Sequence, residues 1–117
     1  MLATLATSNR TMNARGATSA GTLEAHWKLD ESRGGMALDT SGHGLHGKFS
    51  NEPRRVAGVT GGAASLDGAT DSINFGHPPA LRLVGSVTIS AWIYPTAFPV
   101  DDAAIVSTHN SFGLGYQ

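Results

Sequence analysis

Ser86-Val87-Thr88-Ile89-Ser90-Ala91-Trp92-Ile93-Tyr94-Pro95 is the stretch whose reading decides the fold. From Val87 to Tyr94 it has no charge, no Gly and no Pro, and most residues are β-branched or aromatic, the types that fit a pleated, half-buried surface. Side chains alternate across a strand, so Val87, Ile89, Ala91 and Ile93 share one face and Thr88, Ser90, Trp92 and Tyr94 the other. The purely apolar face is expected to pack against a second sheet. Pro95 removes a ladder donor and is expected to end the strand. The pattern predicts a central strand of a β-sandwich.

The rest of the chain agrees with an all-β reading. Leu23, Ala25, Trp27 and Leu29 alternate with Glu24, His26, Lys28 and Asp30, the period of a strand with one buried and one solvated face. Gly34-Gly35 breaks the regularity, and Asp39 to Gly47 is a glycine-studded loop. Further strands are expected at Lys48–Ser50, at Ala63–Leu66, through Ile73 and Phe75 after an Asp67-Gly68 turn, at Ile105–Ser107, and through Phe112, Leu114 and Tyr116. No segment carries a helical period. Met1 to Thr22 differs: rich in Ala, Ser and Thr and without an acidic residue, it reads as a structureless leader rather than a targeting segment. The folded domain is expected over residues 23–117.

Composition narrows the function classes. The 117 residues make one domain at most, and 15 Gly with only 15% charged residues suit a loop-rich β protein. A net charge of −1 without a basic patch argues against nucleic acid. No Cys means no disulfide, no thiolate zinc site and no cysteine nucleophile. No apolar run is long enough to span a bilayer.

Four segments in order carry a resemblance. Trp27-Lys28-Leu29-Asp30-Glu31 comes first, then Asp39 with Ser41, Gly42, Gly44 and Gly47. Leu66-Asp67-Gly68 with Asp71 follows, then Thr88-Ile89-Ser90-Ala91-Trp92. Together they resemble the N-terminal half of a laminin-G-like jelly roll of the concanavalin A-like superfamily. The resemblance implies an antiparallel β-sandwich, incomplete at its C-terminus, from a protein that works outside the cell or on its surface, although no signal peptide is evident. It also implies that the family's closing strand would follow Gln117. In many relatives a calcium ion sits at the rim. The matching candidate ligands here are Asp39 and the carbonyls near Gly42 and Gly44, since calcium takes hard oxygens that a glycine-rich turn can expose. The competing reading is that Asp39 and Ser41 bond the turn's own backbone.

Catalytic constellations are weaker. Jelly-roll glucanases set their carboxylates as Glu-x-Asp-x-x-Glu on one strand, because acid and nucleophile must flank one bond. Glu24, Glu31 and Glu52 do not fall in that pattern, and Glu24 and Asp30 would lie nearly 20 Å apart at about 3.3 Å per residue. His43 and His46 lack a third zinc ligand and read as a solvated turn. Trp92 and Tyr94 are the candidate carbohydrate-binding residues, since exposed rings stack on sugar C–H surface; against that, the recurrence of this Trp in the family pattern favours a packing role.

The expected function is a non-catalytic extracellular binding module for a polysaccharide or glycoprotein. The alternatives are a glycoside hydrolase or lyase whose catalytic strand lies beyond Gln117, and a structural or adhesion spacer. A sandwich lacking its second half leaves inward faces and strand edges uncovered. The chain is therefore expected to self-associate, and sedimentation should find dimers or larger species rather than a single monomer boundary.

Overall fold

The computed structural model describes residues 5–10, 22–82, 86–97, 103–107 and 113–116. Among them the chain is built of short antiparallel strands, with one 3₁₀ turn at Pro79–Leu81. The strands are β1 (Leu5–Arg10), β2 (Thr22–Trp27), β3 (Met36–Ala37), β4 (Gly47–Phe49) and β5 (Arg54–Ala57). They continue with β6 (Gly62–Ser65), β7 (Ile73–Asn74), β8 (Ser86–Ala91), β9 (Ala103–Ser107) and β10 (Gly113–Tyr116). They form four small sheets: β2-β1-β8, β3-β4-β7, β5-β6 and β9-β10. The all-β expectation stands at this level.

The alternation read in β2 is realised in the core. Ala25, Trp27 and Leu29 are buried, together with Ala37, Phe49 and Ala64, and Ile73, Phe75, Ile89 and Ala91 pack against them. Trp27 is the largest of these, its ring 4.0 Å from that of Phe75 by centroid. Its indole nitrogen donates to the Leu45 carbonyl at 2.7 Å, so the one polar atom of a buried ring is satisfied. Leu23, at the start of the same face, is exposed.

The decisive stretch keeps its two faces. Val87, Ile89, Ala91 and Ile93 are half-buried while Thr88, Ser90, Trp92 and Tyr94 are exposed. Among the described residues β8 pairs with β1, from Leu5↔Ala91 to Arg10↔Ser86. β8 ends at Ala91, four residues short of Pro95.

The middle strand is β1, which lies in the segment read as a structureless leader. It pairs with β2 from Leu5↔Trp27 to Asn9↔Thr22, with an irregularity between Thr7 and Ser8. Leu5 to Asn9 carry no charge, Gly or Pro, so nothing prevents an extended ladder, and two flanking strands supply partners for both backbone edges. The leader expectation does not hold for these residues.

Smaller differences have local causes. β2 ends at Trp27, and Leu29 takes a left-handed φ of 60°. That turn is tied down where Asp30 Oδ1 accepts the Gly62 N–H at 2.8 Å. β5, which shows no alternation in sequence, pairs with β6 from Arg54↔Ser65 to Ala57↔Gly62. β3, two residues long, is too short for a period to show.

Gly47 is buried against this core: a Cβ there would collide with the Phe75 ring and come within 2.6 Å of Ile73 Cγ2. Gly47→Ala is expected to lower stability by about 1–3 kcal/mol, since neither neighbour can retreat without opening the Trp27 cluster. Gly35→Ala, where nothing lies within 4 Å, should stay within about 0.5 kcal/mol of the parent. Urea unfolding of the two variants side by side checks this.

Candidate functional site

The loop opening at Asp39 is organised by its own carboxylate. The chain reaches it from β2 through an isolated bridge, Trp27↔Asp39, and through the Thr40 N–H on the His26 carbonyl at 2.8 Å. Asp39 Oδ1 accepts the backbone N–H of His26 at 2.9 Å and of Ser41 at 2.8 Å. Oδ2 accepts the Ser41 hydroxyl at 2.8 Å and the Leu45 N–H at 3.0 Å. Asp39 is 8% exposed, so these four donors replace water around a buried charge. Burial alone would raise its pKa; the bonds from His26, Ser41 and Leu45 outweigh that and lower it from 3.8 to about 2.

This arrangement does not fit a calcium shell. Both oxygens of Asp39 are ringed by hydrogen atoms, and a cation approaching them would meet four donors before it met a lone pair. Gly42 and Gly44, expected to lend carbonyls, hold φ of 97° and 69°, the left-handed turns the loop needs to bring Ser41 and Leu45 onto one carboxylate. Among the described residues no group of three or more His, Asp or Glu side chains is placed to hold a metal. The turn reading of Asp39 and Ser41 is the one the hydrogen bonds support.

The two loop histidines serve the same network. His46 Nδ1 accepts the Asp39 N–H at 2.9 Å, which makes it the unprotonated nitrogen. His43 Nδ1 lies 2.9 Å from the Glu24 carbonyl and 3.1 Å from Ser41 Oγ, so it donates to the carbonyl. Asp67 repeats the device in the next turn: Oδ1 takes the N–H groups of Asp71, Ala69 and Thr70, and Oδ2 the Thr70 hydroxyl. These bonds, with that from Asp71 first, hold its carboxyl well below the usual carboxylate range.

The acids considered for catalysis lie in separate settings. Glu31 Oε1 accepts the Leu38 N–H at 2.8 Å, Asp30 accepts from Gly62, and Glu52 lies beside Pro53 at a cleft. Among the described residues no hydrogen bond joins Asp30, Glu31 and Glu52 to one another.

Trp92 and Tyr94 are each 64% exposed. The packing role expected for Trp92 is taken by Trp27, and the Trp92 ring stands on the outer face, beside exposed Thr88 and Ser90. Sequence reasoning assigned the face but not its cover. What it missed altogether is a cleft of about 300 Å³ lined by Ser32, Arg33, Gly34, Glu52, Pro53 and Arg55. No motif announces it, because its two arginines come from segments 22 positions apart.

Comparison with family models, with curated proteins and with solved structures gives no match.

The Asp39 network makes a signed prediction. A carboxyl whose folded pKa lies below its unfolded value contributes stability that is present above about pH 4 and lost as pH falls through about 2. Acid titration followed by circular dichroism should show that loss, and Asp39→Asn should flatten it. At pH 7 the same variant turns an amide toward remaining donors and is expected to cost about 1–3 kcal/mol. Melts with calcium and with chelator should superimpose.

Proposed function

We propose that this chain is a non-catalytic carbohydrate-binding module whose contact surface is the outer face carrying Trp92 and Tyr94. The observation that carries the reading is the exposure of both rings at 64%, two residues apart, with Ile93 turned inward between them. Residues so spaced in an extended chain present their rings about 6–7 Å apart, a separation that suits neighbouring positions along a sugar chain. Large aromatic surface left in water is unfavourable for a monomer, and sugar C–H faces cover it while their hydroxyls stay hydrated. Thr88 and Ser90, exposed on the same face, add hydroxyls that can donate to and accept from a glycan.

The finer architecture belongs to the same proposal. The β2-β1-β8 sheet turns Ala25, Trp27, Ile89 and Ala91 inward, as one leaf of a laminin-G-like jelly-roll sandwich would. A module of this kind serves a protein acting on polysaccharides or glycoproteins outside the cell or at its surface. No helix among the described residues is long and apolar enough to cross a membrane.

The two tryptophans make the test clean, since Trp27 is 2% exposed and Trp92 is not. Titration with soluble β-glucan, xylan and galactomannan, followed by tryptophan fluorescence and affinity electrophoresis, should find at least one ligand that shifts the emission. Trp92→Ala should weaken that binding at least about tenfold, roughly 1.4 kcal/mol, and Tyr94→Ala less. Trp92→Phe should keep most of the affinity while losing the fluorescence signal. Unchanged retardation in Trp92→Ala, or its unfolding, sinks the proposal.

A further inference from the structure

His26 on β2 shares the outer face of its sheet with the β8 residues that lead to Trp92. The register sets Ser90 of β8 opposite Ala6 of β1, and Ala6 opposite His26. Directly opposed residues of an antiparallel ladder lie on one face. Ser90 is exposed there, while Ala25 and Trp27, on either side of His26, are buried behind it. Adjacent strands lie about 4.8 Å apart, so His26 stands about 10 Å across the sheet from Ser90.

The Asp39 loop fixes both the backbone and the ring of His26. Its N–H donates to Asp39 Oδ1 at 2.9 Å, and its carbonyl accepts the Thr40 N–H at 2.8 Å. Thr40 Oγ1 lies 3.1 Å from the His26 carbonyl and 3.2 Å from its Nδ1. A hydroxyl has one proton and a carbonyl can only accept it, so at the second contact Oγ1 accepts and Nδ1 carries the ring proton. In the neutral imidazole Nε2 is then a lone-pair acceptor. Among the described residues no hydrogen bond engages Nε2.

An acceptor already held in one tautomer needs little further ordering when a donor arrives. It also discriminates, because it takes a hydroxyl and refuses an ether that has no proton to give. Sugar hydroxyls are such donors. A neutral ligand further suits the stretch Val87 to Tyr94, which has no charge to pair with an anion.

We propose that His26 is a specificity-determining residue of the glycan surface, its Nε2 accepting a sugar hydroxyl, with Thr40 as the positioning residue that fixes the tautomer. The inference rests on the carbohydrate-binding reading of Trp92 and Tyr94, and narrows it to a neutral glycan long enough to cross the three strands.

The test uses the full chain at pH 8 with soluble β-glucan, xylan and galactomannan, each beside its O-methylated form, in affinity electrophoresis. Nitrogen-15 spectra of the imidazoles should show the His26 proton on Nδ1, and the glycan that binds should shift the Nε2 signal. His26→Ala should weaken that glycan about threefold to tenfold, the worth of one hydrogen bond. His26→Gln, which keeps an acceptor, should recover most of the loss. Thr40→Val should weaken binding severalfold and spread the ring proton over both nitrogens. Methylation should penalise the parent chain more than His26→Ala, since only the parent has the acceptor to lose. His77→Ala, exposed and outside the strands, should change nothing. Affinity unchanged in His26→Ala overturns the inference and leaves the Trp92 face standing. So does an equal methylation penalty in both chains, or a His26→Gln no better than His26→Ala. Retardation by none of the glycans sinks both readings. Should His26→Ala lose its native circular dichroism, Thr40→Val and the nitrogen-15 spectra decide.

Discussion

A carboxylate buried beside the core has to be surrounded by donors, and meeting that requirement at Asp39 organises the best-packed part of this chain. The four donors come from β2, from the residue two positions on, and from Leu45 beyond the two glycines. Leu45 then receives the Trp27 indole through its carbonyl, so one residue links the charged network to the largest buried ring. Packing and polar satisfaction are thus the same event: Trp27 cannot be covered unless the loop closes, and the loop closes only around an ionised Asp39. Networks satisfied this fully hold one geometry, because every alternative strands a buried group.

That coupling explains what the sequence could and could not disclose. The alternation of Leu23 to Leu29 and of Val87 to Ile93 is a property of the strands themselves, and it reappears as buried and exposed faces apart from Leu23 at the margin. A glycine-rich loop at Asp39 was equally legible. Its chemistry was not, because a carboxylate looks the same in sequence whether carbonyls or N–H groups will face it. Only the left-handed turns at Gly42 and Gly44 decide that donors do. β1 was invisible for another reason. Leu5 to Arg10 has little hydrophobic pattern, and its strand state comes from the backbones of β2 and β8 on either side. Context of that kind overrides propensity.

The position of β8 shows the same limit. Its composition is that of an interior strand, yet the described ladder gives it one neighbour, and the pairing ends where β1 ends. Trp92 lies one residue past that point. A ring just beyond the last rung is not held in a sheet by hydrogen bonds, so its environment depends on what covers the outer face. Periodicity assigns a residue to a face; it does not say whether water, a loop or a ligand lies against it.

The same reasoning separates recognition from catalysis. Hydrolysis of a glycosidic bond by two carboxyls needs one of them kept protonated, its pKa raised by burial or by a like charge. Asp39 and Asp67 are pushed the other way, down to about 2 and below the usual range, because each is spent on donors of its own turn. Asp30 and Glu31 likewise accept backbone N–H groups. Asp30, Asp39 and Asp67 are thus each engaged by donors of the chain itself. Among what the fold leaves uncovered in the described residues is aromatic area at Trp92 and Tyr94. Such rings gain by being covered. Aromatic surface of that kind is suited to stack on a ligand.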